Sequence, residues 1–129
     1  MSENSCHVTP LAGKSPAADG FGRVVDYLRI SITDRCNERC LYCLPEGSRR
    51  WAPHPDPLTA EEILRLVRVA AGLGFRKFRL TGGEPLVRAD VPGMVSGMAA
   101  IPGVEAIGLS TNGTRLAALA RPLREAGLE

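Results

Sequence analysis

The sequence lacks several features that would assign a chain to a broad class of protein. Its formal net charge over 129 residues is only +2, which is too small to indicate nucleic acid as a partner. No apolar run approaches the roughly 20 residues that a membrane-spanning helix needs, and the N-terminus lacks a charged segment followed by an apolar core. We therefore expect a cytoplasmic protein that acts on neither membranes nor nucleic acid.

The composition is that of one soluble globular domain, with 44% hydrophobic and 23% charged residues. Disordered and collagen-like classes are excluded on this ground. Residues 1–20 are rich in Ser, Pro, Ala and Gly and show no hydrophobic periodicity, so we predict a flexible leader there. Residues 21–129 are then the folded domain.

Hydrophobic periodicity predicts three successive strand–helix units in this domain. The strands are predicted at about 24–32, 75–81 and 104–110, and the helices at about 60–73, 91–100 and 116–125. Thr59, followed three residues later by Glu62, is the capping-box pattern that opens a helix. Connections of this length favour right-handed parallel units and hence an α/β fold.

Each predicted strand has one aliphatic face and one polar or small face. The polar or small positions are Arg29, Ser31, Arg79, Thr81, Gly108 and Ser110. Strands of a parallel sheet that is covered on both sides are apolar on both faces, so helices should cover only the aliphatic face here. The polar face would line a cavity, which is typical of a (β/α) barrel built around a ligand. Three units predict a partial barrel with its functional loops at the carboxyl ends of the strands.

Three of the four cysteines, Cys36, Cys40 and Cys43, lie within one predicted loop, with Tyr42 before the last. Clustered thiolates hold soft metals or iron–sulfur clusters. Structural zinc and four-iron clusters both take four ligands, so either a distant residue supplies the fourth or the open position binds a substrate or cofactor. Two disulfides are the weaker alternative because no export signal is present, and Cys6 in the leader is predicted to be a spare thiol.

The C-x3-C-x2-C spacing, followed after the second strand by Gly82-Gly83-Glu84-Pro85, resembles the signature of the radical S-adenosylmethionine (SAM) enzymes. The resemblance implies that the three thiolates hold a [4Fe–4S] cluster whose fourth iron takes the amino and carboxylate groups of SAM. One electron would cleave SAM to methionine and a deoxyadenosyl radical. It also implies that Tyr42, Gly82, Gly83 and Glu84 bind SAM, with the glycines allowing close approach and Glu84 accepting from the ammonium group. A Cys3His zinc site using His54 is the rival interpretation.

Longer segments narrow the resemblance to the GTP 3′,8-cyclase family of molybdenum cofactor biosynthesis. They are Gly22-Arg23, Asp26 to Arg29, Thr33 to Asn37, Tyr42-Cys43 and Arg79 to Arg88. The resemblance implies a lyase that converts GTP to 3′,8-cyclo-7,8-dihydroguanosine triphosphate with electrons from a donor. It places Arg29, Arg79 and Ser110 on GTP, with Ser110 where the family usually has threonine.

The chain departs from this family at several points. Glu38 replaces a usually apolar residue and Leu44 a common methionine, and family members continue to a second cysteine trio. We therefore interpret the chain as an N-terminal portion, to be completed by a C-terminal half or a homodimer. Its last strand would be an open edge, which predicts poor solubility or dependence on a partner. The alternatives are another radical SAM reaction, such as peptide maturation, and a non-catalytic iron–sulfur or zinc-binding fragment.

Overall fold

The computed structural model describes residues 17–43 and 57–129. Its elements are β1 (Tyr27–Ser31), α1 (Ala60–Gly72), β2 (Lys77–Thr81), a short 3-10 turn (Pro85–Val87), α2 (Val91–Ala99), β3 (Ala106–Leu109) and α3 (Leu116–Ala126). All the strands and helices predicted from the sequence are present, and the strands are shorter than expected. The 3-10 turn was not predicted.

The strands form one parallel sheet in the order β1-β2-β3. In this register Arg29 lies beside Arg79, which lies beside Gly108. Strand–helix repetition with parallel pairing confirms the predicted α/β class and the partial (β/α) barrel. Each of β1 and β3 has a single neighbour in this sheet.

The helices cover one face of the sheet and form the core. Buried strand residues on this face include Ile30, Phe78, Leu80 and Ile107, which pack with apolar side chains of the helices. The opposite face carries Arg29, Arg79 and their neighbours, whose side chains are exposed or half-buried. The predicted division into an aliphatic face and a polar face is therefore confirmed.

The capping box predicted for α1 is present. The Thr59 hydroxyl accepts from the Glu62 amide at 3.2 Å, and the Glu62 carboxylate accepts from the Thr59 amide at 2.8 Å. This exchange satisfies two amides that the first turn of a helix leaves without partners. The helix ends at Gly72, and Gly74 adopts a φ of 104°, which a side chain would disfavour.

Several predictions concern residues outside the described ranges. They are the leader up to residue 16 with Cys6, and the segment of residues 44–56, which contains Leu44 and His54. The predicted leader boundary at residue 20 falls inside a turn in which Ala18 and Val24 form an antiparallel bridge. In the described part of the chain, no helix is long and apolar enough to cross a membrane.

Candidate functional site

Three loops meet at the carboxyl edge of the parallel sheet. We name them the cysteine loop (residues 33–43), the glycine turn (residues 82–86) and the β3 turn (residues 111–114), after β1, β2 and β3 respectively. Parallel strands end at the same edge, so their following loops share one surface, which is where α/β proteins bind ligands. The site is built from these loops and from the polar face of the sheet below them.

The three cysteines of the cysteine loop are free thiols. Cys36 and Cys40 are half-buried and Cys43 is exposed. The loop makes few internal hydrogen bonds, among them Cys43 N–H to Cys40 O at 3.0 Å and Glu38 N–H to Cys36 Sγ at 3.5 Å. Glu38, one of the departures from the family pattern, also accepts from Cys40 Sγ at 3.9 Å. The thiols are accessible to a metal.

Tyr42 is 88% exposed, and its hydroxyl lies close to two of the sulfurs. The charge of the Cys40 thiolate raises the pKa of Tyr42, reinforced by a hydrogen bond with the same sulfur and by the same interactions with Cys43. An exposed aromatic ring next to two thiols supplies a flat apolar surface where a cofactor would be bound. The predicted contact of Tyr42 with SAM stays a prediction.

The donor set fits a thiolate-bound cluster, and its geometry is open. Cys36, Cys40 and Cys43 are free of disulfides and lie within one short loop, and cysteine thiolates are the ligands that hold iron–sulfur clusters. Within residues 17–43 and 57–129, no three His, Cys, Asp or Glu side chains are placed as a ready-made metal site.

The glycine turn packs directly against the cysteine loop. The Gly83 amide donates to Thr33 O at 2.9 Å, and the Glu84 amide donates to Arg35 O at 2.8 Å. A Cβ atom on Gly82 would lie 2.2 Å from Thr33 O, and one on Gly83 would lie 2.3 Å from Arg35 O. The two glycines, which the sequence suggested would admit a ligand, thus also allow two stretches of backbone to touch.

Glu84 lies inside the protein with only 1% of its surface exposed. Its carboxylate accepts three hydrogen bonds, from the Leu86 amide at 3.0 Å, the Thr111 hydroxyl at 2.7 Å and the Asn112 amide at 2.7 Å. The sequence suggested that this carboxylate faces the ammonium group of a ligand. In the structure it instead joins the glycine turn to the β3 turn, and these three donors compensate for its burial.

The β3 turn is also hydrogen-bonded to the cysteine loop. The Asn112 side-chain amide donates to Asn37 Oδ1 at 2.9 Å, and the Asn37 amide donates to Thr114 Oγ1 at 2.8 Å. Sequence reasoning gave no role to Asn37, Asn112 or Thr114. Their residue types were the available signal. Asn side chains commonly form hydrogen bonds in turns, and the chain has one Asn directly after Cys36 and an Asn-Gly pair shortly after the third strand.

The two arginines predicted for substrate binding lie side by side on the polar face of the sheet. Arg79 Nε donates to the Tyr27 hydroxyl at 2.6 Å, and its Nη1 donates to Leu109 O at 3.2 Å, so its guanidinium lies over Gly108. Arg29 is exposed and makes no hydrogen bond or ion pair within the described part of the chain. One guanidinium is therefore fixed and its neighbour is available to an anion.

Ser110 follows β3 directly and is half-buried, with its amide donating to Leu80 O at 3.0 Å. Its position at the carboxyl edge agrees with the predicted face. Like the two arginines, it lies on the side of the sheet that the helices leave uncovered.

Arg88 fixes both ends of the segment that contains the cysteines. Its Nη1 donates to Ile32 O and to Leu58 O, both at 2.8 Å. Asp90 holds the same guanidinium through Nε at 2.9 Å and Nη2 at 2.6 Å. Residues 33–57 therefore leave the sheet and return to helix α1 at one guanidinium group, which we name the Arg88 clamp.

Comparison of the sequence with known protein families identifies the superfamily of the chain. The profile described as "Radical SAM superfamily" matches residues 30–129. The chain belongs to the radical SAM superfamily. Among its relatives are the GTP 3′,8-cyclases of Moorella thermoacetica, 57% identical over 111 residues, and of Syntrophomonas wolfei, 54% identical over 110 residues. These matches cover 86% and 85% of this chain.

A further relative of this radical SAM chain is molybdenum cofactor biosynthesis protein 1 of Drosophila melanogaster, 51% identical over 119 residues and 92% of the chain. The matched part is 34% of each bacterial relative and 21% of the Drosophila protein. The chain thus spans about a third, or less, of the length of these curated relatives. Membership of the radical SAM superfamily is established by the profile match to residues 30–129.

Proposed function

We propose that this chain binds the [4Fe–4S] cluster and SAM of a GTP 3′,8-cyclase that takes part in molybdenum cofactor biosynthesis. The observation that carries the proposal is the direct contact between a loop with three free thiols and the Gly-Gly-Glu-Pro turn, in a chain 57% identical to a GTP 3′,8-cyclase. We include GTP, an electron donor and either a C-terminal half or a second copy of the chain as partners.

The proposed roles divide among the loops. Cys36, Cys40 and Cys43 hold iron, and the bound cluster with SAM supplies a carbon radical able to remove a hydrogen atom from the substrate. Tyr42 and the backbone of Gly82 and Gly83 would contact SAM. Glu84 contributes to this SAM site through the turn it fixes, since its carboxylate is already held by protein donors.

The polar face of the sheet would receive GTP. Arg29 has a guanidinium without a protein partner in the described residues, and a guanidinium binds phosphate oxygens in a bidentate manner. Arg79 is held in place by Tyr27 and Leu109 and adds fixed positive charge beside it. The Ser110 hydroxyl provides a donor or acceptor at the edge nearest the loops.

Anaerobic reconstitution with iron and sulfide, followed by electron paramagnetic resonance of the reduced protein with and without SAM, tests the cofactor part. We expect a [4Fe–4S] signal whose g values change when SAM is added. Retention of zinc with no cluster signal, or a cluster indifferent to SAM, would contradict the proposal.

Equilibrium binding of GTP to the reconstituted chain tests the substrate part. Replacing Arg29 by Ala should weaken GTP binding about 10-fold or more, since a charge-assisted contact to phosphate is lost. Arg68→Ala is the matched control, because Arg68 is exposed on α1, on the opposite side of the sheet. Equal losses in both variants would show that only general positive charge attracts the nucleotide.

A further inference from the structure

The three loops at the carboxyl edge are joined in a closed ring of hydrogen bonds. The cysteine loop accepts from the glycine turn at Thr33 O and Arg35 O, at 2.9 and 2.8 Å. The glycine turn accepts from the β3 turn at the Glu84 carboxylate, at 2.7 Å from both Thr111 and Asn112. The β3 turn exchanges side-chain hydrogen bonds with Asn37 to complete the ring.

The hydrogen bonds of the ring differ in whether a side-chain substitution can remove them. The contacts between the cysteine loop and the glycine turn are made by backbone atoms, whereas every link to the β3 turn involves a side chain. Asn112 belongs to two links, because its backbone amide serves Glu84 and its side chain serves Asn37. Within the turn its Oδ1 also accepts from the Thr114 amide at 3.1 Å and hydroxyl at 2.8 Å.

We propose that the β3 turn is a positioning element for the cluster, with Asn37 and Thr111 as positioning residues that set the cysteine loop relative to the glycine turn. This inference rests on the proposed function, since it concerns how iron and SAM are presented to each other. The structural basis for it is that the links of the ring differ in burial. The cysteine loop is held to the β3 turn through the exposed Asn37 side chain, while the buried Glu84 carboxylate holds the glycine turn to the β3 turn in the core.

The side-chain hydrogen bonds of both positioning residues go to the β3 turn or to Glu84, so changing either residue leaves the three thiols in place as iron ligands. Asn37→Ala removes the side-chain link between the cysteine loop and the β3 turn. Thr111→Val removes the hydroxyl bond to Glu84 and the acceptor of the Gly113 amide while keeping the side-chain volume, so that the Asn112 amide alone still joins the β3 turn to Glu84. Both changes should leave the iron content per chain unaltered and weaken SAM binding, each by about 10-fold, as supporting residues around metal sites commonly do.

The decisive measurement is a double-mutant cycle on SAM affinity, read from the change in the paramagnetic signal on titration. If the β3 turn transmits position between the two loops, the double variant should lose about 10-fold, as each single variant does, and not about 100-fold. Independent losses that multiply to about 100-fold would overturn the proposal. So would single variants that bind SAM like the parent chain.

Thr114 provides a matched pair of variants within the same turn. Thr114→Ser keeps the hydroxyl that accepts from Asn37 and should bind SAM like the parent, whereas Thr114→Val should behave like Asn37→Ala. Equal behaviour of Ser and Val would mean that the hydroxyl has no part in positioning and would overturn this link of the ring.

Amide hydrogen exchange on the iron-free chain separates failure of this inference from failure of the proposed function. Thr111→Val should accelerate exchange in the cysteine loop, residues 36–43, although the Thr111 side chain bonds to Glu84 and Gly113 and to no described residue of that loop. Faster exchange confined to residues 110–115 would overturn the coupling. A parent chain that shows no response to SAM would instead contradict the proposed function, and the exchange result would still decide whether the loops are coupled.

Discussion

The cysteine loop and the glycine turn touch each other and yet are built in opposite ways. Glu84, Pro85 and Leu86 are almost fully buried in the glycine turn, whereas Cys43 and Tyr42 of the cysteine loop are exposed. One loop is fixed by the core and the other presents its reactive groups to solvent. Because a ligand is bound more tightly by groups that are already in place, the turn would be preorganised for the SAM site proposed above.

The difference in burial implies that different interactions fix the conformations of the two loops. The glycine turn derives its conformation from the folded chain alone, through buried hydrogen bonds of a carboxylate. The cysteine loop presents half-buried or exposed free thiols, so part of its order is expected to come from iron, since metal binding and local folding are linked. Three substitutions and one change of pH test this difference between the two loops.

Loss of one thiol should have the largest effect and should act on the cysteine loop alone. Cys40→Ala is expected to abolish reconstitution of the cluster, measured as iron and acid-labile sulfide per chain, because a two-thiol loop cannot hold four irons. The melting temperature of the iron-free chain should hardly change. Cys6→Ala is the matched control and should retain the cluster; equal loss of iron in both variants would contradict the assignment of ligands.

A side chain on Gly83 should damage both regions. Gly83→Ala places a Cβ 2.3 Å from Arg35 O, which forces two backbones apart and should cost about 1–3 kcal/mol in the free energy of unfolding. Chemical denaturation measures this loss. Gly93→Ala on α2 is the control, since no atom lies within 4 Å of the added Cβ and a helical alanine gains up to about 1 kcal/mol. A Gly83→Ala chain as stable as the parent would disprove the close contact.

Removal of the Arg88 clamp should destabilise the attachment of the cysteine segment. Arg88→Ala loses hydrogen bonds to Ile32 O and Leu58 O and leaves Asp90 without its partner, at a cost of about 2 kcal/mol. The change is checked by thermal and urea unfolding. Arg68→Ala, an exposed arginine on α1, should be near neutral, and an equal cost in both would indicate a general charge effect.

The smallest expected effect is the loss, at low pH, of the stability that Asp90 contributes. Hydrogen bonds from Arg88 hold the pKa of Asp90 below its usual range, so the unfolded chain takes up this proton more readily than the folded chain. The contribution is complete above the ordinary aspartate pKa of about 3.9 and is lost as pH falls further. The difference in melting temperature between the parent and Asp90→Asn should therefore be constant near neutral pH and close below about pH 4. A difference independent of pH would contradict this account.

The faces of the sheet could be predicted from the sequence because they depend on a local pattern. Alternation of Phe78 and Leu80 with Arg79 places them on opposite faces in any strand, whatever its neighbours. The capping box of α1 is equally local, since Thr59 and Glu62 lie within one turn. The position of the site followed from the parallel order, because strands of that kind end at a common edge.

The environment of Glu84 could not be predicted, because its partners come from a distant part of the chain. Thr111 and Asn112 reach the carboxylate only once β3 has paired with β2, and sequence alone gave no reason to prefer them over a ligand. The close backbone contacts of Gly82 and Gly83 could not be predicted either. Their neighbours, Thr33 O and Arg35 O, are backbone atoms, which leave no trace in a pattern of side chains.

The Arg88 clamp has a consequence for how this protein could change during evolution. Residues 33–57 begin and end at the same guanidinium, so the ends of the excursion stay together whatever its interior contains. The entropy of closing such a loop grows only logarithmically, by about 0.6 kcal/mol for each doubling of its length. Residues 33–37 are tied to the glycine turn and the β3 turn, so changes there should disturb the site. A change in the length of the segment between Cys43 and Leu58 is instead expected to cost the sheet little, which makes this part of the chain the place where relatives can differ without loss of the scaffold.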